Sequence, residues 1–285
     1  MTTDLTKTAG TELVEFNVAD PEELAMLADE LDGIDGVAFE RVKIPSGGGT
    51  TWEIPGDDPD NPETSREIVG VIVDDHPAAA LWLDEDDEQP AAYSLDGKTQ
   101  ILAEGTVERC QQAGLPIPAA DLASCPYNQF GTMHLIGKEG KGKATKNVWR
   151  LYVMREGAFL PILVSLPPTS LKGFKAFKVN RVVGKKLRLC DVVTKLTLRK
   201  EGEGKSAYSI VQFAIVGVLS EEQRAAMTKA REGIRPMTRR VEIAPADYDV
   251  AEPISSVPSE PSELDKAFAA APSGAGAPAD DEIPF

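Results

Sequence analysis

Two strand-like runs, CDVVTKLTLRK (190–200) and AYSIVQFAIVGV (207–218), flank a six-residue connection, EGEGKS, and constrain the fold more than any other part of the chain. β-Branched and aromatic residues recur in them at the strand period, and a glycine-containing connection of this length closes an antiparallel hairpin. In the first run Cys190, Val192, Thr194, Leu196 and Leu198 share one face, with Asp191, Val193, Lys195, Thr197 and Arg199 on the other. One face reads as core and the other as basic.

Similar runs fill the middle of the chain. From Val37 the pattern is VAFERVKI, the turn SGGG, TTWEI and the breaker cluster PGDDPDNP, followed by strands expected at Glu67–Asp74, Trp149–Met154, Phe159–Ser165, Leu187–Arg199 and Tyr208–Leu219. Helices are fewer. DPEELAMLADELDG predicts one with Asp20 as N-cap, Pro21 in the first turn, Glu23 completing a capping box and Gly33 after its end. PTSLKGFKAFKVNRVV (168–183) predicts a second, carrying Leu171, Phe174, Lys175, Lys178 and Arg181. SEEQRAAMTKAREG predicts a third, boxed by Ser220 and Gln223 and stopped at Gly233. Beyond Ile243 the chain is rich in Pro, Ala, Ser, Gly and Glu, with too few large apolar groups to offset the entropy of ordering, and reads as a disordered linker.

Charge is distributed unevenly. The formal net charge of −16 argues against a nucleic-acid partner. Residues 138–205, however, hold 17 basic and 5 acidic side chains, against 6 and 28 in 1–137 and 7 and 13 in 206–285. A strongly basic block between acidic flanks is a sharper signal than the average. It opens with GKEGKGKA (137–144), which fits most of the phosphate-loop pattern. Ala144 lacks the magnesium-binding hydroxyl and the following KNVWRLYVM reads as a strand, so the segment is a basic solvated loop rather than an NTPase loop.

Lys138, Lys141, Lys143 and Lys146 lead into that strand, where Trp149, Leu151 and Val153 alternate with Arg150 and Tyr152. Trp149, Leu151 and Val153 are expected on the core face, Arg150 and Tyr152 on the opposite, accessible one. Cations along a backbone with aromatics for the base faces make up the sequence-tolerant chemistry of single-strand binding. The candidate contacts are Lys138, Lys141, Lys143, Lys146, Trp149, Arg150, Tyr152, Lys172, Lys175, Phe177, Lys195 and Arg199. Taken singly, Tyr152, Phe174 and Phe177 read more simply as core; the cluster is the stronger signal.

Little points to catalysis. With His76 and His134 the only histidines, no Ser/His/Asp set can be assembled. Asp74 and Asp75 are an adjacent acid pair that a hard-cation nuclease would use, although acid runs are usually solvated surface. Cys110 and Cys125, with His134 or His76, fall short of the close-spaced pairs of a structural zinc site. The alternative is buried free thiols beside a CPYNQFG loop organised by Pro126, Asn128 and Gly131, with Tyr127 and Phe130 packing or stacking. No cofactor is expected. The start, MTTDLTKTAG, lacks the regions of a signal peptide and no apolar run reaches membrane length, so a cytoplasmic location is expected.

The last six residues, DDEIPF (280–285), resemble the acidic C-terminal tip of bacterial single-stranded DNA-binding proteins, in which a Pro/Gly-rich linker also ends in acids followed by Ile-Pro-Phe. The resemblance implies a docking peptide for replication, repair and recombination proteins. Phe285 would fill an apolar pocket with its carboxylate on a basic side chain, Ile283 and Pro284 would pack beside it, and Asp280, Asp281 and Glu282 would follow a basic ridge. The body, in VAFERVKIPSGGG, CPYNQFG and LPPTSLKGF, resembles instead an uncharacterised group from bacteriophages and mobile elements. That group is richer in cysteine around CPYNQFG, which implies that Ser94 and Ala144 mark lost ligands here.

The expected architecture is a β-rich α+β protein. It comprises an N-terminal helical segment (1–36), an OB-like barrel core with inserted loops (37–219), a C-terminal helix (220–243), a disordered linker (244–279) and the tip (280–285). The expected function is single-stranded DNA binding in phage replication or recombination, without enzymatic activity. The rival expectation is an adaptor that uses the tip and never touches DNA.

Overall fold

The structure, a computed structural model, describes residues 16, 39–56, 61–239, 241 and 243. The helix expected at 20–33, the linker and the tip residues Asp280 to Phe285 lie outside the described residues.

Ten strands are described: β1 (Arg41–Val42), β2 (Trp52–Ile54), β3 (Glu63–Ser65), β4 (Glu67–Leu81), β5 (Ala92–Ser94), β6 (Ile101–Leu102), β7 (Lys146–Arg155), β8 (Ile162–Leu166), β9 (Val192–Glu201) and β10 (Tyr208–Val218). The helices are α1 (Thr106–Ala113), α2 (Pro168–Ala176) and α3 (Glu221–Thr238). Eight strands form one sheet curled into a half-barrel, and β2 and β3 pair apart from it.

β4 is the hub. Along one edge it pairs antiparallel with β7, from Gly70↔Arg155 to Ala80↔Lys146. Along the other, Glu67–Val71 pairs with β9 and Ala79–Leu81 with β5. Residues 72–78 therefore have a strand neighbour on one edge only, and Pro77, which cannot donate to a ladder, falls within that stretch. β8 follows β7 as a hairpin, β1 joins β8 in parallel, and β9 and β10 form the hairpin that EGEGKS predicts. At the open side the turn after β1 bridges to the far edge: the Ser209 hydroxyl of β10 contacts Pro45 O at 2.9 Å and Gly49 O at 2.7 Å.

Both faces of the sheet are covered. The concave face packs Ile68, Ile72, Leu151, Val153, Leu196 and Val211 against Phe174, Phe177 and Val182 of the α2 region. Burial of each large side chain there is worth about 1.5–3 kcal/mol. Phe177 stacks on Phe213 at 5.4 Å, and Ser170 Oγ accepts the Val211 N–H at 3.1 Å, pinning α2 to β10. The helix continues as a π-helical turn, Phe177–Val182, and a 3₁₀ turn, Val183–Lys185.

On the convex face Val71, Val73, Tyr152, Met154 and Val193 meet Met227 and Ile234 of α3. The expected box caps that helix: Gln223 N–H donates to Ser220 Oγ at 3.3 Å and Ser220 N–H to Gln223 Oε1 at 3.1 Å. Gly233 does not stop it. α3 runs on through Pro236 to Thr238 because Ile234 and Thr238 are buried against the sheet, and that burial outweighs the weak local propensity. β9 begins at Val192, not Leu187, since Leu189–Asp191 forms a turn in which Asp191 accepts from the Arg188 backbone and guanidinium.

Candidate nucleic-acid interface

CPYNQFG and GKEGKGKA, distinct in the sequence, form one clasp in space. The first begins with a 3₁₀ turn, Pro126–Asn128, in which Pro126 takes the first position where no N–H is needed. Gly131, at φ +81°, turns the chain so that its N–H meets Lys141 O and Gly142 O, each at 2.9 Å. Thr132 Oγ1 donates to Tyr127 O or Gln129 O, at 3.0 and 2.7 Å, and accepts Ala144 N–H at 3.1 Å. Thr145 N–H reaches Tyr127 O at 3.0 Å. A glycine-rich lysine loop is thus fixed along its length.

Asn128 is the buried organiser. Its amide donates to Leu122 O at 2.9 Å, and its oxygen accepts from Asn147 at 2.9 Å and from Lys143 Nζ at 3.4 Å. Lys143 is half-buried, which lowers its pKa below the usual lysine range, and its ammonium stands 5.1 Å from the centroid of Phe130. Phe130 is 64% exposed. Lys141 is exposed, Lys146 is half-buried at the start of β7, and Lys138 pairs with Glu85 at 2.9 Å.

Other expected contacts lie elsewhere. Lys172 and Lys175 are exposed on α2. Lys195 pairs with Glu67 at 3.4 Å, and Arg199 with Glu201. Lys146 stands opposite Ala80 and Lys195 opposite Val69, so the clasp and the β9 cations are separated by up to about 35 Å along β4 at roughly 3.3 Å per residue. Trp149 is half-buried; its indole donates to Asp75 at 2.9 Å, and Lys178 covers the ring at 5.7 Å.

Three expected contacts are overturned. Arg150 and Tyr152 are fully buried, because their face of β7 is covered by α3 and Val241. Arg150 donates to Val241 O at 3.4 Å. The Tyr152 hydroxyl lies 3.0 Å from Thr238 O and 3.2 Å from His76 Nε2. Its pKa is pushed up to about 12 by burial, and that of His76 is lowered to about 4 by burial and by Arg239, so the imidazole is neutral. Phe177, the third, sits inside the concave core and is 6% exposed.

The other chemical readings meet definite geometry. Asp74 and Asp75 serve opposite faces: Asp74 binds Thr238 Oγ1 at 2.7 Å and Arg239 at 3.2 Å, while Asp75 holds Trp149 and Lys178. They do not converge on a shared cation. Cys110, Cys125 and Ala144 share a buried cluster with Tyr127, whose hydroxyl donates to Pro116 O at 2.8 Å and lies 4.0 Å from Cys110 Sγ. Burial and the two thiols raise the Tyr127 pKa. Ser94 is buried and bound to Asp96. Among the described residues no group of three or more His, Cys, Asp or Glu side chains is placed to hold a metal, and no helix is long and apolar enough to cross a membrane.

The union of the two loops was not expected from the sequence, which left Phe130 open between packing and stacking. Asn128 and Gly131 were its available signals, and both organise the loop. Compared with known proteins, the chain matches no family model, no curated sequence and no solved structure.

Proposed function

We propose that this chain is a single-stranded nucleic-acid-binding protein built on an OB-type barrel. More particularly, it is a phage-type single-stranded DNA-binding protein that serves replication or recombination in the bacterial cytoplasm without catalysing a reaction. Strand connectivity supports the barrel: β4, β7 and β8 form a meander, α2 follows, β9 and β10 form a hairpin, and β4 pairs with both β7 and β9. An OB fold would run through its strands in the same order, and in it the connection between the first two strands and that between the last two grip oligonucleotides.

The observation that carries the proposal is the position of the clasp. Lys141 and Lys143 belong to the connection between β4 and β7, the first and second strands of that order. With α3 covering the Tyr152 face of β7, the loops would take over the contact. Asp280 to Phe285 would recruit replication and repair proteins.

Fluorescence polarisation of labelled single- and double-stranded oligonucleotides across a salt series tests the proposal. Binding should favour single strands and fall steeply with salt. Lys141→Glu with Lys143→Glu should abolish it, whereas deletion of Phe285 should lose partner proteins and keep DNA. A flat salt dependence, or equal affinity for duplex, overturns the proposal; DNA-independent function would favour an adaptor.

A further inference from the structure

We infer that Phe130 and His134 form a base-stacking subsite for an unpaired nucleobase, with Lys141 and Lys143 on the adjoining phosphates. The inference rests on the single-strand-binding proposal and deepens it. A lone exposed phenylalanine needs no explanation. Phe130 is distinguished by how it is held and by what surrounds it.

Both its neighbours are fixed. Gln129 donates its side-chain amide to Ala123 O at 2.9 Å, and Gly131 is bound to the lysine loop. Tyr127, fully buried, fills the interior position three residues earlier, and Phe130 remains outside it. One face of the ring carries the Lys143 ammonium, while Phe130 as a whole remains well exposed to an incoming base. A rigid ring loses little entropy on meeting a base, and a nearby cation strengthens stacking.

His134 supplies a second ring. It is exposed, and its Nδ1 donates to Gly131 O at 2.8 Å, which ties the ring to the residue next to Phe130. The cluster therefore offers two π-faces and two ammonium groups for phosphate. A paired, stacked base presents no free face to such a site.

The test is fluorescence-polarisation binding of a labelled oligothymidylate to the full chain and its variants, with circular-dichroism melts to confirm folding. Phe130→Ala should weaken binding roughly 5- to 150-fold, the range for loss of one stacked base, with an unchanged salt slope. Phe130→Trp should retain binding, and photocrosslinking of an iodouracil-substituted oligonucleotide should map to Phe130 or His134. Wild-type affinity in Phe130→Ala, or crosslinks confined elsewhere, overturns the subsite while single-strand binding stands. Failure of the wild-type chain to bind any single strand overturns the proposed function, and the subsite with it.

Discussion

Trp149 donates its indole N–H to Asp75 at 2.9 Å across the β4–β7 pairing, and the same carboxylate oxygen receives the Lys178 ammonium at 2.6 Å. One nearly buried acid thus joins the central sheet to the helix inside the half-barrel. Asp75→Ala should leave the indole without that acceptor and Lys178 without its counter-charge, a loss of about 2–3 kcal/mol. At roughly 2–4 °C per kcal/mol for a domain of this size, the melting temperature should fall by about 5–10 °C. Asp75→Asn, which keeps an acceptor for Trp149, should lose about half as much, and thermal melts of both variants check the order.

His76 makes stability depend on pH. Its ring is buried among Tyr152, Asp74, Arg150 and Arg239, and its pKa is lowered from 6.5 to about 4 in the fold. Between those values the unfolded chain binds a proton that the folded chain does not, so stability rises with pH. It is complete above about 6.5 and is lost as pH falls towards 4, by up to about 3 kcal/mol. Urea midpoints at pH 7 and 4.5 measure the loss. His76→Gln should lessen the difference, since carboxylate titration is common to both proteins.

Gly70 permits the crossing at which β4 is paired on both edges, to Arg155 of β7 and Thr194 of β9. A Cβ there would press on the Met154 carbonyl and stand 2.8 Å from Val153 Cγ1. Backbone held by ladders on both sides cannot move aside cheaply, so Gly70→Ala should cost about 2–3 kcal/mol. Gly56→Ala, with open space around its Cβ, is the control; denaturant midpoints of the two should separate clearly.

These dependencies differ in how far they could be read from residue types. The β9–β10 hairpin and the Ser220–Gln223 box were legible because each is written in a short local pattern. Alternation along β7 correctly grouped Arg150 with Tyr152 and Trp149 with Leu151, but it says nothing of what covers a face. The cover, α3, comes some 70 residues later. The clasp was hidden for a related reason: its bonds from Gly131 to Lys141 and Gly142 join backbone groups, which every residue type carries. Gly233 misled because burial of Ile234 and Thr238 prevails over a local stop signal.

Asn128 separates the charge of the clasp from its rigidity. Asn128→Ala removes the acceptor shared by Lys143 and Asn147 and the donor to Leu122 O, while every lysine keeps its charge. Binding to single strands should weaken several-fold as the loop loses order, with the salt slope unchanged. Asn128→Asp places a carboxylate where the amide oxygen lies 3.4 Å from Lys143 Nζ, so the ammonium is neutralised locally instead of by phosphate. The slope of log affinity against log salt should then fall by about 0.7, the value for one phosphate contact on a single strand. Salt titrations of the two variants distinguish the effects: equal slopes would mean that Lys143 carries no phosphate and serves only to hold Phe130.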